Sequence, residues 1–197
     1  MSQTTIAMLV GSLREDSLNA RLARAIEKLS PETTAFEWVE IGDMPFYNGD
    51  LEGQRPESVT AFTAAIKRAD GVCMVTPEYN RSISAVLKNA IDWGSKPMEN
   101  NVWRDKPVGI TGTSPGALGT ALAQQHLRQI MAIQGAHVLP GEVYLSFQPD
   151  TLITPAGEIT QDSAKGFLDD FARRLAAYVE NHAAFLASRV ESDSVSA

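Results

Sequence analysis

Three short stretches of this chain carry residues whose types and spacing could do chemistry. The first is Gly11-Ser12-Leu13-Arg14-Glu15-Asp16-Ser17-Leu18-Asn19, a small-residue turn that leads into a helical pattern. Unpaired amides at a helix amino terminus carry the positive end of the helix dipole. Ser12, Ser17 and Asn19 add side-chain donors, and Arg14 adds a charged fork, so the stretch suits a monophosphate dianion. The same residues also suit an ordinary turn in which Ser17 is an N-cap and Arg14 is solvated. The stretch lacks the Gly-Lys-Ser/Thr of a nucleoside-triphosphate loop and the G-x-G-x-x-G of a dinucleotide loop.

The second stretch, Pro77-Glu78-Tyr79-Asn80-Arg81-Ser82, precedes the helical run Ala85 to Trp93. Pro77 stiffens the exit from a strand, Tyr79 offers a planar face, and the amides of Glu78 to Asn80 can reach the polar edge of a flat heterocycle. A plain turn with a surface tyrosine is the alternative. The third stretch, Thr113-Ser114-Pro115-Gly116 running on to Gly119, again opens a helix. Its small residues let backbone approach a ligand closely, and the helix end could stabilise negative charge arising on it. A Gly/Pro turn capped by Ser114 accounts for it equally well.

These loops need elements to position them. Thr5 to Val10 is a short apolar run, followed from Ser17 by a helical stripe of Leu18, Leu22, Ala25, Ile26 and Leu29. Ala35 to Ile41 alternates like a strand and gives way to a long polar loop, Phe46 to Pro56. The spacing predicts a helix over Glu57 to Arg68, a strand over Gly71 to Thr76 and a helix from Ser84 to Trp93. It then predicts a strand over Pro107 to Gly112, a helix from Ala117 to Ile133, a fifth strand over Val138 to Leu145 and a last helix from Gln161 to about Ala187. The continuous apolar run Gly-Val-Cys-Met-Val is what a strand buried on both faces of a parallel sheet requires.

Five strands alternating with helices predict an α/β, flavodoxin-like three-layer sandwich whose five-stranded parallel sheet has the order 2-1-3-4-5. Ligands of such sheets bind at the carboxyl ends of the strands where the order reverses, which places the loops after strands 1, 3 and 4 together. Residues 1–187 are expected to form one domain, and the polar tail 188–197 to be disordered.

Composition narrows the functions. The 197 residues carry a net charge of −7, with 44% hydrophobic and 21% charged residues, and no basic stripe that would grip nucleic acid. No apolar run approaches the roughly 20 residues of a membrane span. The amino terminus has no basic region before its short apolar stretch, so a soluble, cytoplasmic protein that begins here is expected. The single cysteine, Cys73, excludes an internal disulfide and reads as a buried hydrophobe. The three histidines are too scattered along the chain to suggest a metal site.

Taken together, Gly11-Ser12-Leu13-Arg14 with Ser17 and Asn19, Pro77-Glu78-Tyr79-Asn80, Lys88 to Trp93, and Ser114-Pro115-Gly116 to Gly119 resemble the NADPH-dependent FMN reductase family, which includes bacterial chromate and quinone reductases and azoreductases. The resemblance spans residues 5 to about 180. It implies that Ser12, Arg14, Ser17 and Asn19 hold the FMN phosphate and that Pro77 to Asn80 lie along the isoalloxazine. It also implies that Ser114 to Gly116 meet another edge of the ring. NADPH or NADH would give hydride to the flavin, leave, and be replaced by an acceptor on the same face in a ping-pong exchange. Quinones, chromate, ferric chelates, azo compounds and free flavin are all implied acceptors. No side chain need act as acid or nucleophile, because the cofactor carries the chemistry. A homodimer or homotetramer is implied by the same analogy.

Asp16 departs from the family pattern, since many relatives carry glycine there and a carboxylate beside a phosphate would repel it. The segments Phe46 to Gln54 and Pro97 to Trp103, with Phe46, Tyr47 and Trp103, are candidates for an acceptor-selecting rim or for subunit contacts. Two other functions are open: a flavodoxin-type electron carrier, which the acidity suits, and a serine hydrolase. For the hydrolase, Gly112-Thr113-Ser114-Pro115-Gly116 matches G-x-S-x-G, with Asp150 or Asp162 and then His182 in hydrolase order. The elbow is faulty, because Pro115 lacks the amide that should complete the oxyanion hole, a loss of about 3 kcal/mol.

Overall fold

The computed structural model describes residues 3–195; of residues 187 and 189–195 only the backbone is described. The strands are β1 (Thr4–Val10), β2 (Thr34–Trp38), β3 (Gly71–Val75), β4 (Pro107–Ser114), β5 (His137–Val138) and β6 (Tyr144–Ser146). The helices are α1 (Leu18–Leu29), α2 (Glu57–Arg68), α3 (Ala85–Gly94), α4 (Ala121–Ile133) and α5 (Asp162–Val195). The sheet runs β2-β1-β3-β4-β5, all parallel, as the alternation of elements predicts.

The two-residue period of the central strands divides their side chains between two cores. Ala7, Leu9, Val72 and Met74 face α2, α3 and α4, where they meet Phe62, Ile66, Leu87, Ile91, Trp93, Trp103 and Leu127. Ile6, Met8, Cys73 and Val75 face α1 and α5, against Leu22, Ile26, Leu168, Phe171, Leu175 and Val179. Every residue of β3 is buried, which accounts for its unbroken apolar run. Trp103 is wholly buried and its Nε1–H donates to the Ile91 carbonyl at 3.0 Å, so it belongs to the core and not to a rim.

The structure corrects three boundaries. The expected fifth strand is two short ones, separated by Leu139 to Val143. Pro140 has no amide to give to a ladder, and Gly141 sits at φ +84°, so the chain leaves β4 after pairing with Pro107 and Val108 and returns to pair with Gly112 to Ser114. Thr111 Oγ1 and Gln124 Nε2 donate to the Val143 carbonyl in the interval, at 3.3 and 2.9 Å. Helix α4 begins at Ala121 and not at Ala117, because Gly119 turns at φ +58° against the backbone of Leu145, where a Cβ would stand 2.9 Å from its carbonyl oxygen. Helix α5 continues past Ala187 to Val195, so residues 188–195 extend the helix where a disordered tail was expected. No glycine or proline follows Gly166 to stop it. Residues 196–197 of that tail, and residues 1–2 of the amino terminus, lie outside the described residues.

Among the described residues no helix is long and apolar enough to cross a membrane, and no group of three histidine, cysteine or acidic side chains could hold a metal ion. The fold does bring two histidines together. His137 and His182 lie with ring centroids 4.5 Å apart beside Asp105, at the end of the sheet where β4 begins.

Cys73 is fully buried in the α1/α5 core, and burial pushes its thiol up to about 12, so it stays protonated at neutral pH. A chromogenic disulfide reagent should therefore label the thiol only after denaturation, and Cys73→Ser should retain activity. Rapid labelling of the folded protein would show that the thiol is reachable.

Candidate functional site

The carboxyl edge of the sheet carries a cleft of about 690 Å³, within the range of about 300–1,000 Å³ usual for small-molecule sites. Of the residues singled out from the three loops, Gly11, Leu13, Arg14 and Tyr79 line it, and so does the rim candidate Phe46. Its other wall comes from Gly42, Met44, Pro45 and Phe46, after β2, and from Ser84, Ala85, Val86 and Asn89 at the start of α3.

Gly11 is held by the bond from its amide to the Val75 carbonyl at 2.9 Å. A Cβ there would lie 3.0 Å from Ser84 Oγ and 3.1 Å from Pro77 Cδ, so glycine lets the ends of β1 and β3 and the start of α3 converge without displacing either neighbour. Residues 12–16 are irregular and half-exposed or exposed. Ser17 is the N-cap of α1 and its Oγ accepts from the Ala20 amide at 3.2 Å, which leaves the amides of Leu18 and Asn19 without an intrahelical acceptor. Arg14 is exposed, and among the described residues it has no carboxylate partner. Asp16 turns away: it pairs with Arg21, and its side chain is 69% exposed. The expected conflict with an anion is thereby relieved.

Other predicted residues are engaged inside the protein. The Asn19 Nδ2 donates to the Thr113 carbonyl and its Oδ1 accepts from the Thr113 amide, both at 3.0 Å and both buried. Thr113 Oγ1 donates to the Leu145 carbonyl at 2.7 Å. These side chains brace α1, β4 and β6 against one another. Pro77 is buried beside Gly11. Asn80 and Arg81 sit at φ +51° and +67°, and Tyr79 and Ser82 exchange backbone bonds of 2.9 and 3.0 Å. That is a two-residue reverse turn of the type that needs positive φ at both central positions. It leaves Tyr79 47% exposed at the mouth of the cleft. Ser82 Oγ shares a 2.8 Å hydrogen bond with His126 Nδ1 of α4.

Glu78 works through its side chain, which nothing in the sequence pattern suggested. Thr120, the N-cap of α4, makes no capping bond. Glu78 Oε2 accepts from the amides of Leu122 and Ala123 instead, at 3.0 and 3.1 Å, and so joins the second loop to the helix that follows the third.

Ser114, Pro115 and Gly116 do not line the cleft; they form the exposed turn next to it. Ser114 Oγ donates to the Gly119 carbonyl at 2.5 Å and accepts from the Gly116 amide at 3.3 Å. It has no histidine: His182 bonds Asp105 at the far end of β4, an eight-residue strand, about 25 Å away at the rise of an extended chain. The geometry removes the hydrolase reading.

Of the wall after β2, the sequence pointed to Phe46 as a rim candidate but missed Gly42 to Pro45, although Gly42-Asp43-Met44-Pro45 is a recognisable turn at a strand's carboxyl end. Its anchor is Asn89 on α3, only 6% exposed. The Asn89 Oδ1 accepts from the Tyr47 amide at 2.8 Å, and its Nδ2 donates to the carbonyls of Met44 and Pro45 at 3.3 and 3.0 Å. Trp93 Nε1 donates to the Pro45 carbonyl at 2.8 Å, and the Tyr47 ring packs edge-on against Trp93. Tyr47 thus faces inward, its hydroxyl donating to Glu52 at 2.5 Å, while Phe46 stands 79% exposed at the rim.

Comparison with known proteins identifies the family and the fold. Residues 4–150 match the model of the family described as NADPH-dependent FMN reductase. The chain is 43% identical over 177 residues to a 2-hydroxy-1,4-benzoquinone reductase of a Burkholderia species, covering 89% of this chain and 96% of the relative. It is 40% identical over 183 residues to a quinone reductase of Pseudomonas putida, covering 91% and 97%. Among solved structures, the flavoenzyme NAD(P)H:(acceptor) oxidoreductase FerB of Paracoccus denitrificans superposes with a TM-score of 0.86 at 38% identity, covering 91% of this chain and 98% of that one. The chain belongs to the NADPH-dependent FMN reductase family. It is a flavodoxin-like oxidoreductase whose cofactor is FMN and whose electron donor is NAD(P)H.

Asn89→Ala should unfold at lower denaturant, with about 1–3 kcal/mol of stability lost, because three backbone groups of the 44–47 segment lose their partner. A loss under about 0.5 kcal/mol would show that the segment is held by packing alone.

Proposed function

We propose that this chain binds FMN with its phosphate at the amino end of α1 and passes electrons from NAD(P)H to quinones that enter the adjoining cleft. The observation that carries the reading is the meeting of an unpaired Arg14, the open amides of the α1 terminus and a largely apolar cleft at one sheet edge. Arg14, Ser12 and the Ser17 hydroxyl, with the amides of Leu18 and Asn19, hold the phosphate. The backbone of Pro77 to Asn80 and the turn Ser114 to Gly116 bound the ring on two sides. Bound there, FMN supplies the hydride-accepting and electron-donating chemistry.

The residues of the chain do the rest. Tyr79 and Phe46 flank the mouth, and Leu13, Met44 and Val86 give a lining that excludes water and favours a flat, uncharged molecule. Quinones fit this lining better than chromate or ferric chelates, which would meet Arg14 as the one cation among its residues. The naming of curated relatives as quinone reductases supports the same substrate class. Donor and acceptor use one mouth and therefore take turns, which is a ping-pong sequence.

A homodimer or homotetramer is part of this proposal. Leu118, Leu122 and Ile133, on α4 and the turn before it, are 56%, 41% and 82% exposed, an apolar stripe of the kind that subunit contacts cover. We also place the protein in the cytoplasm, consistent with a lone buried thiol.

Initial rates with NADPH varied at several fixed concentrations of a benzoquinone should give parallel double-reciprocal lines. Lines that intersect would show both substrates bound at once and contradict the shared mouth. Arg14→Ala should weaken FMN binding about ten- to a hundredfold, the worth of a charge-assisted bond, while kcat at saturating FMN changes little. Unchanged FMN affinity would remove Arg14 from the phosphate site.

A further inference from the structure

We propose that Glu78 lowers the reduction potential of the flavin by placing a carboxylate on the amino-terminal pole of α4. The inference rests on the proposed site, in which the ring lies between the second loop and the turn before α4.

The amino end of a helix carries about half a positive charge, concentrated on the first-turn amides. Left open, that pole would favour negative charge on a neighbouring group and so favour its reduced form. Here it is not open. Thr120 stands at the N-cap, yet its Oγ1 accepts from Gln124 Nε2 at 3.0 Å and gives nothing to the helix backbone. Glu78 reaches across from the second loop and takes the amides of Leu122 and Ala123. A full negative charge thus sits on a half-positive pole, and the sum is negative. The Glu78 side chain is only 10% exposed, so solvent screens it poorly. Its one cationic neighbour among the described residues, Arg81, is 3.6 Å away with a side chain 67% exposed, and compensates it weakly.

A neutral serine, threonine or glutamine could satisfy the same amides. The carboxylate adds what those cannot, a fixed negative charge within the loop that borders the ring. Adding electrons to a group beside that charge is disfavoured, which keeps the reduced enzyme a strong donor to its acceptor. Glu78 is therefore a positioning residue with an electrostatic role: it joins two loops and biases the group between them.

Glu78→Gln separates the two roles, since the amide oxygen can accept the same two bonds while the charge is lost. The FMN-loaded proteins are titrated anaerobically against a dye of known potential. The variant should hold reduced FMN, relative to oxidised, about tenfold more tightly than the parent does, a rise of about 30 mV for a two-electron couple, with an unchanged melting temperature. An unchanged potential with FMN bound would make Glu78 a staple only and overturn the inference. Arg81→Ala removes the compensating cation from an exposed position and should shift the same ratio about two- to threefold in the opposite direction; no shift, or a rise, also overturns it. Failure of the parent protein to take up FMN would refute the site itself, a result distinct from FMN uptake without a shift.

Discussion

The reciprocal pair of bonds between the Asn19 carboxamide and the backbone of Thr113 fixes the amino end of α1 against the end of β4. These two points are far apart in the chain and belong to different βα units. A buried amide that gives and receives at 3.0 Å leaves little freedom in either, because breaking it strands two backbone groups away from water. Everything at the carboxyl edge is built on that register. The first loop hangs between β1 and α1, and the turn Ser114 to Gly116 starts one residue beyond Thr113.

The same device recurs around the edge. Asn89 ties α3 to the segment after β2, Glu78 ties the second loop to α4, and Ser82 meets His126. Loops that would otherwise move are stitched by polar side chains belonging to other elements, so the edge is held in shape by the protein's own bonds. Preorganisation of this kind spares binding energy that would be spent on ordering. Several polar residues of the motifs accordingly face inward, while Arg14 lines the cleft and the Leu18 and Asn19 amides stay open at the α1 terminus.

The fold was legible because its central strands are unbroken apolar runs and its helices show clear stripes; β3 and α1 are read directly from GVCMV and from Leu22, Ala25 and Ile26. The fifth strand was not, since a sum of β-prone residues from Val138 to Leu145 hides the break that Pro140 and Gly141 impose. Trp103 was misplaced because aromatic residues in a loop look alike whether they cap a core or face water. At the site, chain order predicts which loops meet, and Gly11, Leu13, Arg14 and Tyr79 do line one cleft. It does not predict which side chains make cross-loop bonds, as those of Asn19, Thr113 and Glu78 do. Phe46 was anticipated at the rim, but the wall from Gly42 to Pro45 was overlooked because its placement depends on Asn89, a contact of long range that no local pattern records.

The central claim is that this preorganised edge holds a flavin that nicotinamides reduce. It is tested most directly by recording the visible spectrum of the protein purified without added flavin, then adding NADPH or NADH under anaerobic conditions. The account predicts a yellow protein that bleaches within seconds and regains its colour when a quinone is added. A colourless protein that also fails to take up added FMN would contradict it.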